Sequence, residues 1–215
     1  MEVHDRGWLL EQLRAEGIRD PRVLEAMKHI PREHFVPANL VDRAYENEAL
    51  PVDQGQTISQ PFVVARMTEA LALQGTERVL EIGTGTGYQT AILAYLAAEV
   101  VSVERLADLA ASARDRLAAL GVTNARVCVG DGSLGYPARA PYDAILVTAG
   151  GPRVPSRLAA QLAVNPPGRL VMPVGPREEQ QLLLLSGDPH SRAMHRLGPV
   201  RFVPLIGNEG WEVTS

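Results

Sequence analysis

The residues of this chain best placed to do chemistry are three alternate glycines, two carboxylates and one serine. Gly83, Gly85 and Gly87 follow the apolar run at 79–82, and an amphipathic helical pattern begins at Tyr88. Glycine takes positive φ and carries no side chain, so such a loop turns sharply while its backbone closes on a ligand. The N–H groups of the helix behind it then face that ligand. Glu104 ends a second apolar run, about 20 residues beyond Gly83, the offset at which an acid from the second strand meets a ribose. Asp131 stands between Gly130 and Gly132 after a third run. Two carboxylates in these places suit ribose hydroxyls and an adenine amino group. Each also has a plainer reading: Asp131 as a turn residue, Glu104 as an acid at a helix N-terminus. Ser59, in Gln56-Thr57-Ile58-Ser59-Gln60-Pro61, is placed to N-cap the helix that follows.

The spacing narrows the ligand. The dinucleotide fingerprint is G-x-G-x-x-G/A, and Tyr88 occupies its third position here. Glu81-x-Gly83-x-Gly85-x-Gly87 instead resembles motif I of the class I S-adenosylmethionine-dependent methyltransferases, whose ligand has no pyrophosphate to seat. The five histidines, His4, His29, His34, His190 and His195, show no ligand spacing with Cys, Asp or Glu, so surface or packing roles and no metal site are expected. The single cysteine, Cys128, excludes an intramolecular disulfide and a Cys-rich metal site and reads as a small buried hydrophobe. No Ser-His-Asp or Cys-His set is evident.

The elements that must hold these residues alternate. Helices are expected over 8–16, with Gly17 as its stop, and from Asp20-Pro21, an N-cap acid before a first-turn proline. Residues 31–55 are rich in proline and read as irregular, with a turn at 53–55. A helix after Pro61 places Val64, Met67 and Leu71 on one face. Strands follow at 78–82, 99–103, 125–129, 142–148 and 168–172, with the clearest helix at 107–120 between two of them. Strand–helix alternation with apolar strands implies an α/β fold, a parallel sheet covered on both faces. At the end, 181–186 and 201–205 read as an antiparallel pair at one edge, the leucines at 182–185 serving its core. The chain of 215 residues fits one domain, 1–55 a helical and irregular extension and 56–215 the core. A formal net charge of −4 does not favour nucleic acid, and no apolar run reaches the length of a membrane span. A cytoplasmic monomer is expected.

Several blocks together resemble protein-L-isoaspartate O-methyltransferases: the segments at 18–24 and 56–61, the glycine loop through Gln89, Gly130-Asp131-Gly132 and Arg201-Phe202-Val203-Pro204-Leu205. The Thr-Ile-Ser-Gln-Pro block is the specific one, because methyltransferases in general share only the glycine loop. The resemblance implies a Rossmann-like three-layer sandwich with a mostly parallel seven-stranded sheet, an antiparallel edge strand and added N-terminal helices. It implies S-adenosylmethionine as donor and damaged proteins and peptides as substrates. It also implies Ser59 as the catalytic residue, with Thr57, Ile58, Ser59, Gly83, Gly85, Glu104, Asp131 and Gly132 around the cofactor. Departures from the family pattern fall at Asp53, Gly150-Gly151 and Asn165-Pro166-Pro167-Gly168. The competing readings are a nicotinamide-dependent dehydrogenase, a protein-binding module that keeps the fold, and a methyltransferase for RNA or a small metabolite.

Overall fold

The structure, a computed structural model, describes residues 5–187 and 191–212. Two helices, α1 (Arg6–Ala15) and α2 (Pro21–His29), open the chain. The Asp5 carboxylate accepts from Trp8 N and the Asp20 carboxylate from Arg22 N, which satisfies amide donors that a helix start leaves free. Two 3-10 turns follow, then a small antiparallel pair, β1 (Leu50–Pro51) with β2 (Thr57–Ile58). Helix α3 (Pro61–Leu71) leads into the main sheet, formed by β3 (Arg78–Ile82), β4 (Glu99–Glu104), β5 (Ala125–Val129), β6 (Ala144–Val147), β7 (Arg169–Val174), β8 (Gln180–Ser186) and β9 (Ala193–Val200). Helices α4 (Tyr88–Leu96), α5 (Ala107–Ala119) and α6 (Ser156–Ala160) lie between strands.

The sheet order is β5-β4-β3-β6-β7-β8-β9, with β3 to β7 parallel and β8 antiparallel to both of its neighbours. The five expected parallel strands all form, within two residues at each end. Side-chain alternation splits the core into two layers. Val79, Val100, Leu146 and Val171 face the N-terminal helices together with Ala91, Ile92 and Met27. Leu80, Ile82, Val101, Ile145 and Met172 face the other way, with Leu158, Leu162 and Tyr142. Burial on both faces explains why these strands read as apolar runs and not as alternating ones.

Two expectations need correction. The second strand of the edge pair is β9, at 193–200, and not 201–205. Its residues Met194, His195 and Arg196 are exposed, and Gly198 and Pro199 lower its strand signal, so Leu197 and Val200 alone do not form an apolar run that marks it. Residues 201–205 instead cross the strand ends. The Gly150 N–H donates to Val203 O at 2.8 Å and Leu205 N donates to Gly150 O at 2.8 Å. The buried Gln180 side chain holds Phe202 from below, accepting from its N–H at 2.9 Å and donating to its carbonyl at 3.2 Å. The second correction concerns Ser59, which does not cap α3. Gln60 is the N-cap and makes no side-chain cap bond; Asn47 Oδ1, from the irregular segment, accepts from Phe62 N at 2.9 Å.

Candidate active site

Strand order reverses at β3, which has β4 on one side and β6 on the other. Open α/β sheets bind ligands at the carboxyl ends of the strands beside such a switch point. A cavity of about 240 Å³ lies there, walled by the glycine loop, Glu104 to Leu106, Gly132, Thr148 and two segments from outside the sheet, 55–59 and 203–206. A second cavity adjoins it. Thr57, Ser59, Thr148 and Val203 line both, and Asn47, Glu48, Ala49 and Arg201 line the second alone.

The glycine loop is shaped from below. Gly83 has φ +92°, and its N–H donates to Val103 O at 2.8 Å. The Thr148 hydroxyl reaches under it, 3.0 Å from Ile82 O and 2.7 Å from Gly83 O. A β-carbon at Gly83 would lie 2.3 Å from that hydroxyl oxygen. Gly85, at φ +53°, has no atom within 4 Å of where its β-carbon would stand, so that space is open to a ligand. The Gly85 N–H donates to Glu104 Oε2 at 2.9 Å, and Leu106 N donates to Oε1 at 2.9 Å. Glu104 therefore fixes the loop and still has acceptor capacity on both oxygens. Open backbone at Gly85, a carboxylate beside it and the apolar side chains of Ile82, Val103 and Leu106 fit the amino-acid, ribose and base parts of S-adenosylmethionine respectively.

The remaining expected residues are less uniform. Ile58 is buried and Thr57 exposed, with both in the wall of the first cavity. The half-buried Ser59 faces both cavities, and its hydroxyl makes no hydrogen bond among the described residues. Gly132 lines the first cavity, and the Asp131 carboxylate beside it is hydrogen-bonded within the protein. Its Oδ1 accepts from Ser133 N at 2.9 Å and Ser133 Oγ at 2.7 Å, and its Oδ2 from Asn208 N at 2.8 Å. It thus anchors the C-terminal segment behind the cavity.

Sequence reasoning missed the support beneath the loop. Glu81 is fully buried. The Thr90 hydroxyl donates to its Oε2, and its Oε1 has no partner. Burial pushes this carboxyl up to about 8, the negative charge of Glu104 adds to the rise, and the nearby Ser102 and Thr90 hydroxyls offset part of it. Glu81 is thus mostly uncharged at neutral pH. The Thr84 and Ser102 hydroxyls bond each other over the same strands. An acid and a serine at matched register in otherwise apolar strands, Glu81 beside Ser102, were the available signal. No comparable signal marks Asn47 or Thr148. Of the histidines, His29, His34 and His195 are exposed, with His29 tilted against the Tyr95 ring at 5.0 Å between centroids; His4 and His190 lie outside the described residues. Cys128 is half-buried. Among the described residues no group of three His, Cys, Asp or Glu could hold a metal, and no helix is long and apolar enough to cross a membrane.

Comparison with known proteins agrees with this geometry. The sequence profile of the family described as Protein-L-isoaspartate(D-aspartate) O-methyltransferase (PCMT) matches residues 4–210. A protein-L-isoaspartate O-methyltransferase of Methanoculleus marisnigri is 58% identical over 201 residues, spanning 94% of this chain and 90% of the relative. Protein-L-isoaspartate O-methyltransferase 1 of Rhodopseudomonas palustris is 53% identical over 203 residues, 94% of this chain and 82% of the relative. Among solved structures, a protein-L-isoaspartate O-methyltransferase superposes with a TM-score of 0.86 at 31% identity, covering 96% of this chain and 67% of that one. A Plasmodium falciparum protein solved with S-adenosyl-L-homocysteine has the same fold, with a TM-score of 0.81 at 24% identity over 97% of this chain and 100% of that one. With its profile matched over nearly the whole length and its relatives more than half identical, the chain belongs to the protein-L-isoaspartate(D-aspartate) O-methyltransferase family.

Proposed function

We propose that the two adjoining cavities divide the reaction between them. The chain is an S-adenosylmethionine-dependent repair methyltransferase of isoaspartyl residues in proteins. In our reading the donor lies over the glycine loop, and the second cavity takes the peptide backbone around the isoaspartyl residue. The α-carboxylate left free by isomerisation then comes to the wall the cavities share. The observation that carries this is that Thr57, Ser59, Thr148 and Val203 line both. Glu104 receives the ribose hydroxyls. Gly85 offers open backbone to the amino-acid end, and Gly132 borders the base. Asp131 accepts from Ser133 and Asn208 and keeps acceptor capacity on Oδ2, with which it reaches the adenine amino group.

The bound donor supplies an electrophilic methyl group on a sulfonium. A carboxylate is already ionised at neutral pH, so no general base is required. The chain's task is alignment. Ser59 has an unpaired hydroxyl with which to hold the carboxylate in line, and positioning is worth up to roughly 7–11 kcal/mol in favourable systems. The product is an uncharged methyl ester. Its alcohol is expelled when the next peptide nitrogen attacks to form a succinimide, and hydrolysis of that ring returns part of the material to aspartate. A single copy contains both cavities whole, so we take the working unit to be a monomer. A cytoplasmic setting fits a chain with one cysteine.

The test is a pair of synthetic peptides that differ at one residue, L-isoaspartate in one and L-aspartate in the other. Both carry an ionised carboxylate, so charge does not distinguish them. Isomerisation inserts one extra backbone carbon and moves the carboxylate relative to its flanking peptide groups. A displacement of about 1 Å costs on the order of a hundredfold in rate. Methyl transfer is expected to the isoaspartyl peptide and almost none to the other. Equal methylation of both would mean that the second cavity does not read the backbone.

A further inference from the structure

Arg32 is fully buried and heads the large buried side chains of the described residues, yet no carboxylate among them pairs with it. Its Nε donates to Ala44 O at 2.8 Å and its Nη2 to Glu48 O at 3.2 Å. The guanidinium lies 5.1 Å from the Tyr88 ring centroid, and Nη1 has no hydrogen-bond partner. Burying a charge without a charged partner carries a desolvation cost that two carbonyl hydrogen bonds only partly offset, so stability alone does not account for an arginine here.

What the side chain touches suggests its use. On one side are the carbonyls of the segment at 44–48. From this segment Asn47 Oδ1 accepts from Phe62 N, and Asn47 O accepts from Gln60 Nε2 at 2.8 Å. Asn47, Glu48 and Ala49 then form a wall of the second cavity. On the other side is Tyr88, which opens α4 directly behind the glycine loop and lines the first cavity. We propose that Arg32 is a positioning residue for the acceptor peptide, holding the 44–49 wall at a fixed place relative to the glycine loop. The proposal rests on the reading that the second cavity takes the acceptor. The chemistry suits arginine. A planar fork fixes two carbonyls four residues apart in one plane, and with them the curvature of the segment. A lysine ammonium, a point charge on a flexible stem, does not impose that geometry.

The test is Arg32→Lys, with steady-state kinetics on an isoaspartyl peptide, cofactor affinity by calorimetry, and amide exchange at 44–49 without any ligand. The expected result is a loss of at least about tenfold in kcat/KM, carried mainly by KM, with cofactor Kd within about threefold. Exchange at 44–49 should be faster and the melting transition still cooperative. Unchanged peptide KM and unchanged exchange in the folded variant would overturn the proposal. Asn47→Ala, which leaves Arg32 in place and frees the same wall from α3, should raise KM alone and add little to Arg32→Lys. Independent, additive losses would also overturn it, because residues acting through one element are coupled. If Arg32→Lys does not fold, Asn47→Ala decides by itself: an unaltered kcat/KM overturns the proposal. Ala49→Trp separates this from failure of the underlying reading. Ala49 is exposed in the second cavity, and a bulky side chain there should block the peptide whatever Arg32 does. No effect of Ala49→Trp would instead show that the peptide binds elsewhere.

Discussion

Glu81 makes the stability of this protein depend on pH in a direction opposite to that of a salt-bridged acid. Its carboxyl is fully buried, with burial raising it from the ordinary 4.5 to about 8. Between these values the folded protein holds a proton that the unfolded chain has released. Stability therefore falls as pH rises through that window. Below about 4.5 both states are protonated, above about 8 both are ionised, and in each range the contribution is flat. At about 1.4 kcal/mol per pH unit, the full fall is on the order of 4–5 kcal/mol, an upper bound because water and backbone movement relieve a buried charge. That is a large share of the roughly 5–15 kcal/mol that holds a typical domain folded.

The assay is urea denaturation of the wild type and Glu81→Gln at several values from pH 4.5 to 9. Glutamine has the same shape and does not titrate. At the acid end the variant should be less stable by about 1–3 kcal/mol, since its second amide atom replaces Glu81 Oε1, which has no partner. Towards pH 9 the order should reverse. Other groups titrate in both proteins alike, so the difference between the two curves isolates Glu81. Parallel curves across the whole range would refute the reasoning, and so would a difference that grows towards acid pH in favour of the wild type beyond that amide cost.

Glu104→Gln should weaken S-adenosylmethionine by roughly 1–3 kcal/mol in calorimetry, because one end of the amide becomes a donor facing the Gly85 or Leu106 N–H and ribose loses a charged acceptor; an unchanged Kd would remove Glu104 from the cofactor site. Gly83→Ala should abolish measurable cofactor binding, since the methyl group meets the Thr148 hydroxyl at a backbone angle that alone costs on the order of 1–3 kcal/mol. Normal affinity in that variant would show that the loop has room this geometry denies. Ser59→Ala should lower turnover on an isoaspartyl peptide by about 10- to 100-fold, the loss of one hydrogen bond to a charged group. Because Ser59 caps nothing, its melting temperature should stay at the wild-type value, and a folded variant with full turnover would make the serine a bystander.

In our reading of the site, the donor half is the part legible in the sequence, because regular structure builds it. Central strands buried on both faces give unbroken apolar runs, and each run ends where its loop must begin. Gly83, Gly85, Glu104 and Gly132 could thus be placed by counting. The second cavity, where we place the acceptor, is walled by segments with little regular structure. Asn47 caps a helix 15 positions away in the chain, and Gln180 holds Phe202 through side-chain bonds that imitate a strand partner. No local pattern announces a bond between residues so far apart. The segment at 201–205 departs from the expected edge strand for a related reason. Its Phe202 and Val203 have strand-forming side chains, but the sheet's edge is already taken by β9, and Gly150 captures the segment over the strand ends. Gly150 and Gly151 belong to this arrangement. A β-carbon at Gly150 would lie 2.4 Å from Gln180 Nε2, and one at Gly151 would lie 2.5 Å from Met172 Cε.

The buried acid also bears on catalysis. The acceptor arrives as an anion and the donor as a cation, and methyl transfer neutralises both, so the site should present little fixed negative charge near the reacting atoms. Glu104 is committed to two backbone amides and, in our reading, to ribose. An ionised Glu81 would be a second negative charge, in the strand that feeds the glycine loop and in a medium that screens it poorly. Keeping it protonated by burial removes that repulsion at neutral pH and retains a polar side chain for Thr90. It follows that kcat/KM for an isoaspartyl peptide should decline as pH rises through about 8 in the wild type, while Glu81→Gln holds its value over the same range. The peptide carboxylate is fully ionised throughout, so the substrate contributes nothing to such a decline. If the variant declines in parallel with the wild type, the titration belongs to another group and Glu81 serves the stability of the strand alone.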